Sequence, residues 1–178
     1  CWVFTPNKLK TPRLRMDNLW SDKDAQAWIA RCGDTGVGEA LALRLYTARL
    51  LGRDRDLVMH GGGNASLKAE ITDAHGDALA VMHIKGSGWD MAQIEAAGMP
   101  AVRLEPLRRL QTLAELDDLA MVSLLRGNLI EAQAPDPSVE TLLHAFLPHA
   151  CVDHTHASAI LALTDQPDGD AICADLFG

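Results

Sequence analysis

The pattern of apolar and polar positions divides the chain into two helical segments, a run of short strands, and a second group of helices. Asp22 to Cys32 and Gly38 to Leu51 carry apolar residues at helical spacing, and in the second Leu41, Leu45, Ala48 and Leu51 lie near one face. Gly33 to Gly38 forms the turn between them. From Leu57 the period shortens: Leu57 to His60, Ser66 to Ile71 and Leu79 to Ile84 read as strands of a meander, separated by a glycine-rich turn and an Asp-Ala-His-Gly-Asp turn. Helical spacing returns at Asp90 to Ala97, Glu105 to Leu113 and Asp117 to Asn128, and Pro135-Asp136-Pro137-Ser138 opens a further helix through Leu147. A strand at Cys151 to Thr155 and a helix at Ala157 to Leu163 follow. Asp168 to Gly178 reads as a helix getting under way, so the domain is expected to be C-terminally truncated. Hairpin strands mixed with helices predict an α/β fold whose central sheet is not purely parallel and is covered by helices on its faces.

Composition bounds the size and the partners. A chain of 178 residues, 48% apolar, buries one good core, so a single domain is expected. Residues 1–15 carry Lys8, Lys10, Arg13 and Arg15, no acid, and no apolar core of a signal peptide; they read as a non-native or disordered leader before a domain over residues 16–178. The formal charge of -8 argues against nucleic acid as a partner, because phosphate neutralisation needs clustered Lys and Arg. No apolar run is long enough to span a bilayer. Cys1, Cys32, Cys151 and Cys173 show no paired spacing, and Cys151 lies in an apolar run, which predicts buried thiols in a reducing, cytoplasmic setting. Trp20, Trp28 and Trp89 read as packing anchors, since no basic patch accompanies them.

The sharpest local signal is His154-Thr155-His156. On a strand, residues two apart share a face, so both imidazoles can reach one metal while Asp153 and Thr155 point the other way. The plainer alternative is one core and one surface histidine. Glu140 stands upstream in Pro-Ser-Val-Glu near a helix start, where the helix dipole favours a carboxylate, and alone it is equally an ordinary first-turn glutamate. His144 and His149 read as helix-face or surface residues. Two glycine-rich loops add possible anion donors: His60 to Ser66, with Asn64 and Ser66, and Lys85 to Asp90, with Ser87 and the Lys85 charge at the start of a helix. Neither loop has the order of a dinucleotide fingerprint.

Taken in order, Gly-Gly-Gly-Asn-Ala-Ser (61–66), Lys-Gly-Ser-Gly (85–88), Pro-Ser-Val-Glu (137–140) and His-Thr-His (154–156) resemble the class II aldolase/adducin family. The stretches around them resemble the aldolase domain of bifunctional rhamnulose-1-phosphate aldolase/short-chain dehydrogenase proteins, from about Met16 to Gly178. The resemblance implies a three-layer α/β/α domain with a mixed, largely antiparallel sheet. It implies a substrate phosphate held by Gly63, Asn64, Ser87, Gly88 and Ser138, with Val139 where some relatives carry a second serine. It implies a divalent ion, zinc above others, on three histidines, two of them His154 and His156 and the third beyond Gly178. Glu140 would be the acid/base of retro-aldol cleavage of a ketose 1-phosphate, rhamnulose 1-phosphate by the closer likeness, to dihydroxyacetone phosphate and L-lactaldehyde. A homo-oligomer and a C-terminal dehydrogenase domain are further implied, and a chain with two of three metal histidines is expected to be inactive alone. The alternatives are epimerisation or dehydration of a sugar phosphate on the same scaffold, or a noncatalytic adducin-like module.

Overall fold

The Ser21 side chain accepts from the Asp24 N–H and starts α1, Asp22–Gly33, with Asp22 and Asp24 in the first turn and Arg31 in the last, as the helix dipole favours. The structure, a computed structural model, describes residues 17–178, so the expected leader over residues 1–15 lies outside the described residues. A turn through Gly36, whose φ is 78°, leads to α2, Glu39–Arg53, which buries Ala42, Arg44, Leu45, Tyr46 and Ala48.

The sheet is built from β1 (Asn64–Thr72), β2 (Ala78–Ile84), β3 (Ala101–Arg103) and β4 (Cys151–His154), in the order β3-β2-β1-β4. All three pairings are antiparallel; Ser66 lies opposite Ile84 and Val152, and Asn64 opposite His154. The register sorts the side chains by face. On one face Ala65 joins Leu45, Ala48, Val58, Met91 and Ile94 beneath α1 and α2. On the other Met82, Ile84 and Val102 pack with Leu104 and Leu107 of α3 (Leu104–Arg109), Leu125 of α4 (Asp118–Gly127) and Ala145 of α5 (Thr141–Phe146). Helices therefore cover both faces, the three layers expected. The last two helices, α6 (Ser158–Thr164) and α7 (Gly169–Phe177), pack on each other, with Ile160, Leu161, Leu176 and Phe177 exposed.

Several local expectations are corrected. Leu57 to His60 is no strand: the N–H groups of Leu57 and Val58 both return to the Asp54 carbonyl, closing a turn. The region expected as a helix from Asp90 to Ala97 is two 3₁₀ turns, Met91–Gln93 and Ala96–Gly98, because Met91 and Ile94, three apart, both go to the core. The helix expected after Pro135 begins only at Thr141, since Gly86 and Pro137 form an antiparallel bridge that holds the preceding segment extended. The short strand β3 carried no period a sequence reading could register. Cys32 is buried and Cys173 partly so, but Cys151 is exposed at the start of the edge strand β4, against the expectation of buried thiols; all three are free. His144 is fully buried, not a surface residue, whereas His149 is exposed. Trp89 packs against Gly98, where an added Cβ would meet the indole at 2.6 Å, and Trp28 packs on the core with Arg31 above its ring.

Candidate metal centre

The register that sets Asn64 opposite His154 brings three of the four motifs to one end of the sheet. His154 is the last residue of β4, and the following turn is pinned where His156 N–H donates to the Leu57 carbonyl at 2.9 Å. The two imidazoles, two residues apart, stay on one side with ring centroids 4.8 Å apart. Asp153 points to the opposite face and pairs with the buried Arg44 of α2, which also donates to Val152 O at 3.2 Å. Glu140 arrives from the other layer as the residue before α5.

Glu140 Oε1 lies 3.0 Å from His154 Nδ1 and 4.0 Å from His156 Nε2, and one donor atom from each of the three residues falls within 4.8 Å of the others. His154 Nδ1 is buried and makes no hydrogen bond despite its nearness to the carboxylate. An unpartnered imidazole nitrogen facing a carboxylate oxygen is an arrangement that a cation would satisfy, and two imidazoles with one carboxylate form a donor set that Zn²⁺ takes. The residues present therefore fit a divalent metal. Burial alone pushes the Glu140 carboxyl up, but the Asn64 hydrogen bond and the fields of His154, His156 and His144 outweigh it and hold it below the usual carboxylate range.

The residues expected to bind phosphate separate into two groups. Asn64 is fully buried; its amide donates to Glu140 Oε2 at 2.8 Å, and its carbonyl accepts from Ala65 N–H. Ser138 is 8% exposed and its hydroxyl accepts from Glu140 N–H at 3.3 Å. Gly63, at φ 68°, is buried, and a Cβ added there would meet the His154 carbonyl oxygen at 2.9 Å. These three lie against Glu140 or His154, two of the candidate metal ligands. Ser87 and Gly88 instead face solvent in a cleft of about 380 Å³ lined also by Trp89, Asp90 and Gln93. Ser87 N–H is committed to Asp136 O at 2.8 Å, and Gly86 N–H to Gly98 O, which leaves the Ser87 hydroxyl and the Gly88 N–H exposed. A second cleft, about 330 Å³, shares Asp90 and Gln93 and adds Arg53, Arg55 and His60.

Lys85, expected to lend its charge to an anion, is 3% exposed and ties the two loops together. Its ammonium donates to Gly61 O at 3.1 Å and Trp89 O at 2.8 Å, and burial pulls it below the usual lysine range. The helix start expected beyond it is a single 3₁₀ turn, too short to act as a helix dipole. Sequence reasoning missed Arg44 and the Ser66–His144 pair, 2.8 Å between Oγ and Nδ1. Arg44 carried a signal: it stands among the apolar positions Leu41, Leu45 and Ala48 of an amphipathic helix, where an unpaired cation would be costly.

Residues 43–175 match the family model described as the class II aldolase and adducin N-terminal domain. A relative from Bacillus subtilis strain 168, carried under the name uncharacterized oxidoreductase YuxG, is 40% identical over 134 residues, which are 75% of this chain and 19% of that protein. The solved N-terminal class II aldolase domain of a conserved protein from Thermoplasma acidophilum is similar with a TM-score of 0.69 and 37% identity, over 76% of this chain and 63% of that one. This chain thus spans less than two thirds of the length of either.

Proposed function

This chain belongs to the class II aldolase and adducin family, and from that premise we propose that it carries the site of a metal-dependent retro-aldolase acting on a ketose 1-phosphate. The observation that carries the reading is the convergence of Glu140, His154 and His156 around one point, with the buried nitrogen of His154 unpartnered. A divalent ion, zinc by the imidazole donors, would be held by His154 and His156 with the Glu140 carboxylate beside it, and would supply a Lewis acid for the substrate carbonyl oxygen.

The remaining work falls to this chain's own side chains. Glu140 is ionised at neutral pH, since it titrates below the usual range. It accepts the proton of the C4 hydroxyl as the C3–C4 bond breaks, the C4 oxygen becoming the aldehyde, and it returns a proton to C3, where the electron pair of that bond is left. Asn64 and Ser138 hold the carboxylate for both transfers, each donating to Glu140 Oε2, at 2.8 Å and 3.4 Å. The phosphate is received by the exposed Ser87 hydroxyl and Gly88 N–H, beside a cleft whose Arg53 and Arg55 supply local positive charge in an acidic chain. Rhamnulose 1-phosphate is the substrate that the motif likeness favours, giving dihydroxyacetone phosphate and L-lactaldehyde. The name of the Bacillus relative supports a dehydrogenase partner domain that consumes such an aldehyde in the longer proteins. A cytoplasmic homo-oligomer completes the reading; among the described residues no helix is long and apolar enough to cross a membrane.

The test is release of dihydroxyacetone phosphate from rhamnulose 1-phosphate by the zinc-loaded chain extended through the third histidine that the motif likeness implies, followed by coupled oxidation of NADH. Cleavage is expected to vanish with EDTA and in Glu140→Ala. Undiminished turnover in that variant would remove Glu140 from the chemistry, and epimerised sugar without cleavage would replace the aldolase reading.

A further inference from the structure

Three side chains on one face of β1 step along α5. Asn64 donates to Glu140 Oε2, Ser66 Oγ lies 2.8 Å from His144 Nδ1, and Lys68 Nζ donates to Leu147 O at 2.5 Å. On the strand the rungs are two residues apart; on the helical side Glu140 and His144 are four apart. Two strand residues advance the chain by about 6.7 Å and four helical residues by about 6 Å, so the first two rungs stay in step.

The middle rung is sealed. Ser66 and His144 have no solvent exposure, and His144 Nε2 has no partner among the described residues, so Ser66 is the ring's one polar anchor. The helix needs such an anchor, since α5 has six residues and a helix that short has little stability of its own. Glu140 precedes it with no side-chain cap, and His144 N–H donates to the Glu140 carbonyl at 3.2 Å. The place of the Glu140 carboxylate therefore follows the height and rotation of α5.

We propose that His144, through its bond to Ser66, is a positioning residue that sets the Glu140 carboxylate against His154 and His156. The inference rests on the reading of those three residues as a metal centre, and it extends that centre's support from Asn64 to a second, buried pair. His144→Leu removes the bond; His144→Asn places an amide where Nδ1 stood.

The measurement is Co²⁺ affinity of the 178-residue chain, followed by visible absorption. His144→Leu is expected to weaken Co²⁺ roughly tenfold, as loss of a supporting partner does at other metal sites, and His144→Asn to restore most of it. In a Glu140→Ala background the same His144→Leu change is expected to alter affinity less than about twofold, because a residue that acts through Glu140 has nothing left to position. Equal weakening in both backgrounds would make His144 merely structural and overturn the proposal. Should His144→Leu fail to fold, Ser66→Ala deletes one oxygen and is read the same way. Co²⁺ bound by the unaltered chain but indifferent to these changes overturns the positioning role alone. No Co²⁺ bound by the unaltered chain overturns the metal reading beneath it.

Discussion

Asn64 donates its amide to Glu140 Oε2 across 2.8 Å from a position with no solvent exposure. The strand register that faces Asn64 to His154 also aims its amide at the carboxylate beside that histidine. In Asn64→Leu, burial is left as the dominant influence on Glu140, and its titration is expected to move upward, as read by ¹³C NMR of the carboxyl. A carboxylate with a depressed pKa stabilises the fold above its unfolded value, and that stability is lost as pH falls through the folded value. The variant is therefore expected to lose about 1 to 3 kcal/mol at neutral pH and to show a flatter acid limb. An unmoved Glu140 titration would disconnect the two residues.

His144 gives a second pH dependence, at higher pH. Burial first, against the pull of Glu140 and with help from His154, Arg44 and Lys68, lowers it from 6.5 to about 4. The unfolded chain thus binds a proton between those values that the folded chain does not. Stability is complete above pH 6.5 and falls as pH drops towards 4, by up to about 3 kcal/mol. Urea unfolding of the metal-free chain at pH 7 and pH 5 is expected to show the loss, and His144→Leu to show less of it. Identical slopes in both chains would refute it.

Gly63→Ala is expected to destabilise by about 2 to 4 kcal/mol, the sum of a left-handed backbone cost and overpacking. The added Cβ would sit 2.9 Å from His154 O and 3.0 Å from both Val58 Cγ2 and Met91 Sδ, at φ 68°. Because the crowded atom is the His154 carbonyl, metal affinity is expected to fall with stability. Thermal melts with and without Zn²⁺ separate the two effects.

The pair between Arg44 and Asp153 is lopsided, with side chains 4% and 40% exposed. Asp153→Ala leaves a guanidinium buried without its counter-charge and is expected to cost about 3 kcal/mol. Arg44→Met leaves a half-exposed carboxylate that water can solvate, and is expected to cost less. Equilibrium unfolding in urea gives the order, and a larger loss for Arg44→Met would refute the argument.

The long periodic segments were legible because burial of one face leaves a trace at every turn of a helix or every second strand residue. α1, α2, β1, β2, α4 and β4 lie within a few residues of their expected places. Where the trace is short it misled: Leu57 to His60 has a strand's composition but is closed by bonds to Asp54 O, and β3 has three residues. At the site, the same-face geometry of His154 and His156 followed from strand period alone. The roles of Asn64 and Ser138 did not, because composition marks a polar donor without saying where it points.

The sequence by itself determined that this is an α/β domain of the class II aldolase and adducin family, and that Glu140, His154 and His156 are the residues to watch. Those conclusions depend on local period and ordered motifs, which the chain carries in one dimension. Only the tertiary structure decided that Asn64 and Ser138 face the carboxylate while Ser87 and Gly88 face solvent, that Lys85 is a buried tie, and that His144 is sealed against Ser66. The pairings of Asn64 with Glu140 and of Ser66 with His144 join partners distant in the chain, 76 and 78 residues apart, and Lys85 reaches Gly61 across 24. A polar side chain's role is set by the partner that replaces its water, and the sheet register and the placement of α5 choose that partner.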